Sequence, residues 1–116
     1  MSRRAAERQG RGGEDRAALW LRMKGWSILD KRRKTPLGEI DLVARRGRLI
    51  AFVEVKWRRT AEQLDTAIDE YRLRRVAAAV EAVAHEYATD DEDIRIDVIL
   101  LAPGSFPRHI ANAWQP

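Results

Sequence analysis

Apolar residues recur along the chain with two periods, and the changes of period mark out the elements. In residues 14–24, Ala17, Ala18, Trp20 and Leu21 share one face at helical spacing. Glu14 and Asp15 suit the positive end of a helix dipole, and Gly25 suits a left-handed stop. Residues 1–13 are rich in Arg and Gly without apolar period and read as a mobile basic tail. Trp26–Lys31 alternates as a short strand, and Arg32–Gly38, punctuated by Pro36 and Gly38, reads as a basic loop. Glu39–Ala44 and Leu49–Trp57 are rich in Ile, Leu, Val and Phe and read as strands. The turn Arg45–Arg48 joins them, with Gly47 open to positive φ. Leu64–Tyr87 carries a broad stripe that includes Leu64, Ala67, Ile68, Leu73, Val76, Val80 and Val83, which predicts a long helix. After an acidic turn at Thr89–Asp93, Ile94–Leu101 alternates as a strand. Pro103-Gly104-Ser105 breaks it, and His109–Trp114 reads as a last edge strand. The order α-β-β-β-α-β-β predicts an α/β fold, a central mixed sheet flanked by helices in layers. The chain shows no internal repeat, linker or heptad seam.

Length and composition narrow this picture. A chain of 116 residues suits one domain, here 14–116 behind the tail, with roughly two thirds of its surface buried. The absence of Cys excludes a disulfide framework, a thiolate nucleophile and a Cys-based zinc site. Apolar runs reach about five to six residues, far short of the ~20 that cross a bilayer. No apolar segment follows the Arg-studded start, so a secretory signal is not expected. The expectation is a cytoplasmic protein without a membrane partner.

Charge changes the picture more. Residues 1–60 hold 17 Lys and Arg against 7 Asp and Glu, residues 61–116 hold 5 against 11, and the halves therefore carry +10 and −6. A positive half suits a polyanion, because neutralising phosphates releases counterions. Of the 22 basic residues 18 are Arg, a bias that GC-rich coding also produces, although such a bias does not explain the asymmetry. Arg32, Arg33 and Lys34 of the loop, Arg45, Arg46 and Arg48 of the turn, and Arg58 are the expected phosphate contacts, with nucleic acid, DNA first, as the expected partner.

The chemistry concentrates in Gly38-Glu39-Ile40-Asp41 and Phe52-Val53-Glu54-Val55-Lys56. In a strand, Ile50, Phe52, Glu54 and Lys56 share one face, while Leu49, Ala51, Val53, Val55 and Trp57 fill the other. A two-residue loop at Arg46-Gly47 pairs Arg45 with Arg48 and sets Asp41 opposite Phe52, on Glu54's face. Any even loop keeps that parity and an odd one reverses it. Buried carboxylates repel unless paired or bound to metal. Asp41 and Glu54 with the Val55 carbonyl and waters would make a Mg²⁺- or Mn²⁺-type oxygen site. A divalent ion there suits phosphodiester hydrolysis, and Lys56 would stabilise transition-state charge or lower the pKa of the attacking water. The alternative is a Glu54–Lys56 neighbour pair with a solvated Asp41 at the sheet's rim.

These motifs, Gly38-Glu39-Ile40-Asp41 and Phe52-Val53-Glu54-Val55-Lys56-x-Arg58, resemble the YraN-type family of uncharacterised bacterial proteins. That family is assigned to the PD-(D/E)XK, restriction-endonuclease-like superfamily, which includes Holliday-junction resolvases. The resemblance covers about residues 10–102, with Gly13-Glu14, Ala17, Leu21 and Gly25 matching an opening helix and Ile96-Asp97-Val98 a late strand. It implies Asp41 and Glu54 as metal ligands, Lys56 as the catalytic lysine and Glu14 as an accessory catalytic acid. From its position alone, Glu14 is equally a helix-start carboxylate. Glu39 either binds a second metal or pairs with an arginine, and pairing is the expectation. Asp97 is expected to be a core-edge acid meeting Arg95 or a turn. The chain departs from the family where Arg32 stands near an expected Asn, where Arg72 replaces a helix Lys, and over the shortened stretch Thr60–Asp65.

Other constellations carry less. His85 and His109 lack metal-ligand spacing, and Ser27 and Ser105 lack a nucleophile elbow. Gly10-x-Gly12-Gly13 lacks the Lys and Ser/Thr of a phosphate loop. Trp26, Trp57 and Trp114 are expected in the core. Three functions follow: a metal-dependent nuclease on branched or structured DNA, a non-catalytic nucleic-acid-binding module, and a protein-docking domain using the acidic half. A homodimer would give a nuclease reach over two strands.

Overall fold

The computed structural model describes residues 3–60 and 69–114. The elements are α1 (Arg3–Met23), β1 (Ser27–Thr35), β2 (Gly38–Arg46), β3 (Leu49–Trp57), α2 (Glu70–Val83), β4 (Asp93–Leu101) and β5 (Arg108–Ile110). A 3₁₀ turn over Ala84–Glu86 extends α2. The strands form one sheet in the order β1-β2-β3-β4-β5, antiparallel except for the parallel pair β3–β4. This is the α/β arrangement that the sequence pattern predicts, and it matches the restriction-endonuclease-like fold that the family resemblance implies.

Each face of the sheet packs on one helix. Ala17, Ala18 and Leu21 of α1 meet Leu42, Ala44, Ala51, Val53, Ile99 and Leu101. Leu73, Val76, Ala79, Val80 and Val83 of α2 meet Val43, Ile50, Phe52, Ile96, Val98 and Leu100 on the reverse. β3 and β4 are therefore apolar on both faces, as strands covered on both sides must be. The end of α1 follows from Gly25. At φ +92 it lets its own N–H reach the Arg22 carbonyl at 3.1 Å and the Trp26 N–H reach the Leu21 carbonyl at 3.0 Å. These bonds satisfy two helix-end acceptors while Trp26 packs in Leu21's cluster, the paired pattern of a Schellman stop.

Several boundaries differ from the sequence reading. The backbone of 3–13, expected as a tail, is helical, and Gly12 and Gly13 lie inside α1. β1 continues through Arg32, Arg33 and Lys34, the expected loop, because each of its residues from Arg33 to Thr35 finds a partner on β2. Alternation that looks irregular in the sequence reflects a bulge between Ile28 and Asp30 and a left-handed Arg32 at φ +50. β5 is shorter than expected and starts at Arg108. In α2, Asp69 caps the Tyr71 N–H. The expected start at Leu64, with Leu64, Ala67 and Ile68, lies outside the described residues, as does most of Thr60–Asp65. Among the described residues, no helix is long and apolar enough to cross a membrane.

Candidate functional site

The hairpin β2–β3 sets the site. Arg46 pairs with Leu49, so the two-residue turn is Gly47-Arg48, with Gly47 at φ +64. The turn lies one residue later than expected and preserves the even parity. Val43, not Asp41, stands opposite Phe52. The regular register ends at Leu42–Val53. Ile40 packs on the α2 side although strict alternation assigns it to the α1 side with Leu42 and Ala44. Asp41 sits at this break, and its Oδ2 accepts the Val55 N–H at 2.8 Å. Val55 thus serves Asp41 through its N–H; the expectation for it was a carbonyl ligand.

Helix α1 adds a carboxylate from the other face. Gly13 is buried with its Cβ direction 3.7–3.9 Å from Leu101, Val55 and Trp57, so the helix approaches β3 closely there. The next residue, Glu14, brings its carboxylate to those of Glu39 and Asp41, with one oxygen from each lying within 4.8 Å of the others. Glu39 was expected to pair with an arginine and instead joins this trio. Its signal in the sequence was its place two residues before Asp41, the spacing at which strand residues leave on the same side.

Glu54 lies beside the trio on β3, 1% exposed. Its Oε1 accepts Arg72 Nε at 2.6 Å and Lys56 Nζ at 3.0 Å. Its Oε2 is buried and has no hydrogen-bond partner among the described residues. Alternation along β3 thus brings Glu54 and Lys56 together as expected, and Arg72, expected only as a replaced lysine, closes the group from α2. Burial, reinforced by the Glu54 charge, holds Asp41 well above the usual carboxylate range, against the lowering effect of the Val55 N–H. Burial also pushes Glu14 up to about 7, with Arg32 opposing at 3.3 Å and Glu39 adding repulsion. Two poorly solvated carboxylates, Glu14 and Asp41, drawn together with the exposed Glu39, are a donor set that fits a hard divalent cation. Glu14, Glu39 and Asp41 are placed to hold it, and the Glu54 carboxylate adjoins that of Asp41.

The basic residues divide between the two ends of the sheet. Arg32, Arg33, Lys34 and Arg58 lie toward the Gly38 end, beside the carboxylates. Arg45, Arg46 and Arg48 lie at the hairpin turn, eight residues or about 25 Å along the strands from Lys56. Many are already engaged: Arg32 with Glu14, Arg33 with Glu86 at 2.9 Å, and Arg45 with Glu92. Arg48 donates to the Asp91 carbonyl at 3.0 Å, and Arg46 lies 4.5 Å over Trp26. Asp97 is fully buried and receives two bonds from Arg95 (2.8 and 3.0 Å), one from the Asn112 N–H (2.9 Å) and a 2.7 Å contact with His109. Burial opposes its charge, yet these partners hold Asp97 below its ordinary value. It is the structural acid the sequence predicts. Trp26 is buried, Trp57 and Trp114 pack against the two core clusters, and His109 edges onto Trp20 at 5.6 Å.

Comparison with known proteins gives a consistent picture. Residues 13–101 match the model of the uncharacterised protein family UPF0102. A UPF0102 protein of Erythrobacter litoralis (strain HTCC2594) is 78% identical over 116 residues, covering the whole of both chains. One of Sphingopyxis alaskensis is 60% identical over 116 residues, again covering both chains completely. One of Caulobacter vibrioides (strain NA1000 / CB15N) is 49% identical over 111 residues, 95% of this chain and 89% of that protein.

Proposed function

The chain belongs to the uncharacterised protein family UPF0102, and we propose that this member is a metal-dependent nuclease that hydrolyses phosphodiester bonds in DNA. The observation that carries this reading is the meeting of Glu14, Glu39 and Asp41 within 4.8 Å beside a buried Glu54 with one unpartnered oxygen. A Mg²⁺ or Mn²⁺ ion held by those carboxylates would supply a low-pKa water and neutralise phosphate charge. The protein's own part is positional. The Val55 N–H fixes the Asp41 carboxylate, and α1 delivers Glu14 across the sheet end. Lys56, held by Glu54 at 3.0 Å, offers an ammonium to charge developing on the phosphate. Arg72, on the same Glu54 oxygen and half-exposed, presents its remaining donors toward the solvent side, where a bound strand would lie.

A second reading has its own support. Glu54 Oε1 is neutralised by Lys56 and Arg72 together, which is also what a binding module without chemistry would need to keep a buried acid. A Mg²⁺/Mn²⁺ assay on linear, nicked and four-way DNA separates the two. Lys56→Ala is expected to abolish cleavage and leave metal affinity largely intact, and Asp41→Asn to lose both. Salt-sensitive binding without wild-type cleavage on any substrate would favour the binding module. Activity surviving in both variants would overturn the site assignment.

A further inference from the structure

We propose that Phe106 is a stacking residue for an unpaired nucleobase, so that the chain prefers branched or gapped nucleic acid to continuous duplex; this rests on the nuclease reading above. β3 and β4 run parallel with Lys56 beside Leu100 and Trp57 beside Leu101, and the Arg58 N–H donates to the Leu101 carbonyl at 2.9 Å. The chain leaves β4 at Leu101 and returns as β5 with Arg108 beside Leu100. The connection 102–107 therefore projects from the same end of the sheet as Lys56. Phe106 lies in that connection, two residues before Arg108, which stands beside Leu100 as Lys56 does on the other side of β4.

The side chain is presented, not packed. Phe106 is 94% exposed, more than any other exposed large hydrophobic among the described residues, the next being Met23 at 77%. Its loop is held by the Ser105 N–H on the Ala102 carbonyl at 3.3 Å and by Gly104 at φ +72. Pro107 biases Phe106 to extended backbone, which limits its collapse onto the core. No Asp or Glu follows Asp97 in the sequence, so the segment brings no carboxylate to repel phosphate, and Arg58 leaves β3 alongside it. A bare aromatic ring on a loop at the same sheet end as a polyanion site is the arrangement that stacks a splayed base or wedges an opened step. A base inside an intact duplex offers its face to its neighbours, so the ring discriminates in favour of gaps and branch points.

The test measures binding in EDTA, where cleavage is off. The probes are a four-way junction, a gapped duplex with 2-aminopurine in the gap, and a continuous duplex of the same sequence. Phe106→Ala is expected to weaken junction and gap binding about ten-fold and to abolish the change in 2-aminopurine fluorescence. Its continuous-duplex affinity and melting temperature should stay as in wild type, and Phe106→Trp should restore both signals. Unchanged preference and fluorescence in Phe106→Ala, with Mn²⁺-dependent cleavage intact, overturns the inference alone and is the pattern expected if Phe106 instead meets a protein. Failure of the wild type to bind any of the three probes in EDTA, together with no Mn²⁺-dependent cleavage of any of them, overturns the nuclease reading together with the inference.

Discussion

At the scale of single residues, poorly exposed acids of opposite character lie in one small domain. Asp41 and Glu14 are raised by burial and by neighbouring carboxylates, Glu54 foremost for Asp41 and Glu39 for Glu14, whereas Asp97 is held down by His109, Arg95 and the Asn112 N–H. Their pH dependences therefore have opposite signs. The folded state binds a proton at Asp41 and Glu14 more tightly than the unfolded chain. Their contribution to stability is complete below about pH 4 and is lost as pH rises through about 7, the value for Glu14, and on through the raised value of Asp41. Asp97 contributes above its unfolded value near 3.8 and loses that contribution as pH falls further. Asp41→Asn should match wild type at pH 4 and melt at a higher temperature at pH 8. Mn²⁺ should raise the wild-type melting temperature increasingly with pH and leave the variant unmoved. Thermal melts across pH with and without the ion read both effects. Asp97→Asn should cost about 3 kcal/mol, the low end for a broken buried pair because Arg95 retains some water, and should not change metal affinity. Denaturation beside a Mn²⁺ titration separates that structural acid from the site acids.

At the scale of elements, helix α1 determines whether the carboxylates meet, because Glu14 reaches Asp41 only if the helix stays seated past Gly13. Its interior and its C-terminal stop respond oppositely to the same substitution. Gly12 is helical with open space where a Cβ would stand, so Gly12→Ala should stabilise by roughly 0.5–1 kcal/mol. Gly25 sits at φ +92 in the stop that turns the chain into β1, and Gly25→Ala should destabilise by about 1 kcal/mol. Shifts of denaturation midpoint in opposite directions check the pair.

At the scale of the whole molecule, the charge asymmetry of the chain is partly closed by folding. Arg33 and Arg45 from the positive half meet Glu86 and Glu92 from the negative half, and Arg72 returns a cation to Glu54. The positive field that remains for a polyanion is accordingly smaller than the linear count, and the hairpin arginines lie at the end remote from the carboxylates. DNA affinity should fall steeply with salt. Lys34→Ala, beside the site on β1, should reduce the slope of log affinity against log salt by about 1, and Arg45→Ala should leave it unchanged. Fluorescence anisotropy at several ionic strengths reads those slopes.

Much of this architecture is legible locally. The two-residue period puts Glu54 and Lys56 on one face with Phe52, the even hairpin puts Asp41 within reach of them, and Gly25 ends the first helix, because each depends on neighbours a few positions away. The continuation of β1 through its arginines is not legible, since a bulge and a left-handed Arg32 disrupt the alternation that would signal a strand. Nor is the carboxylate trio. Glu14 comes from a helix packed on one face of the sheet, and no spacing within β2 announces that it meets Glu39 and Asp41. Arg72 reaches Glu54 from the opposite face, 18 residues away. Local spacing determines which way each side chain leaves its own element. Which elements meet is decided by packing two apolar helix faces onto one twisted sheet, and only that packing brings these charges to a common point.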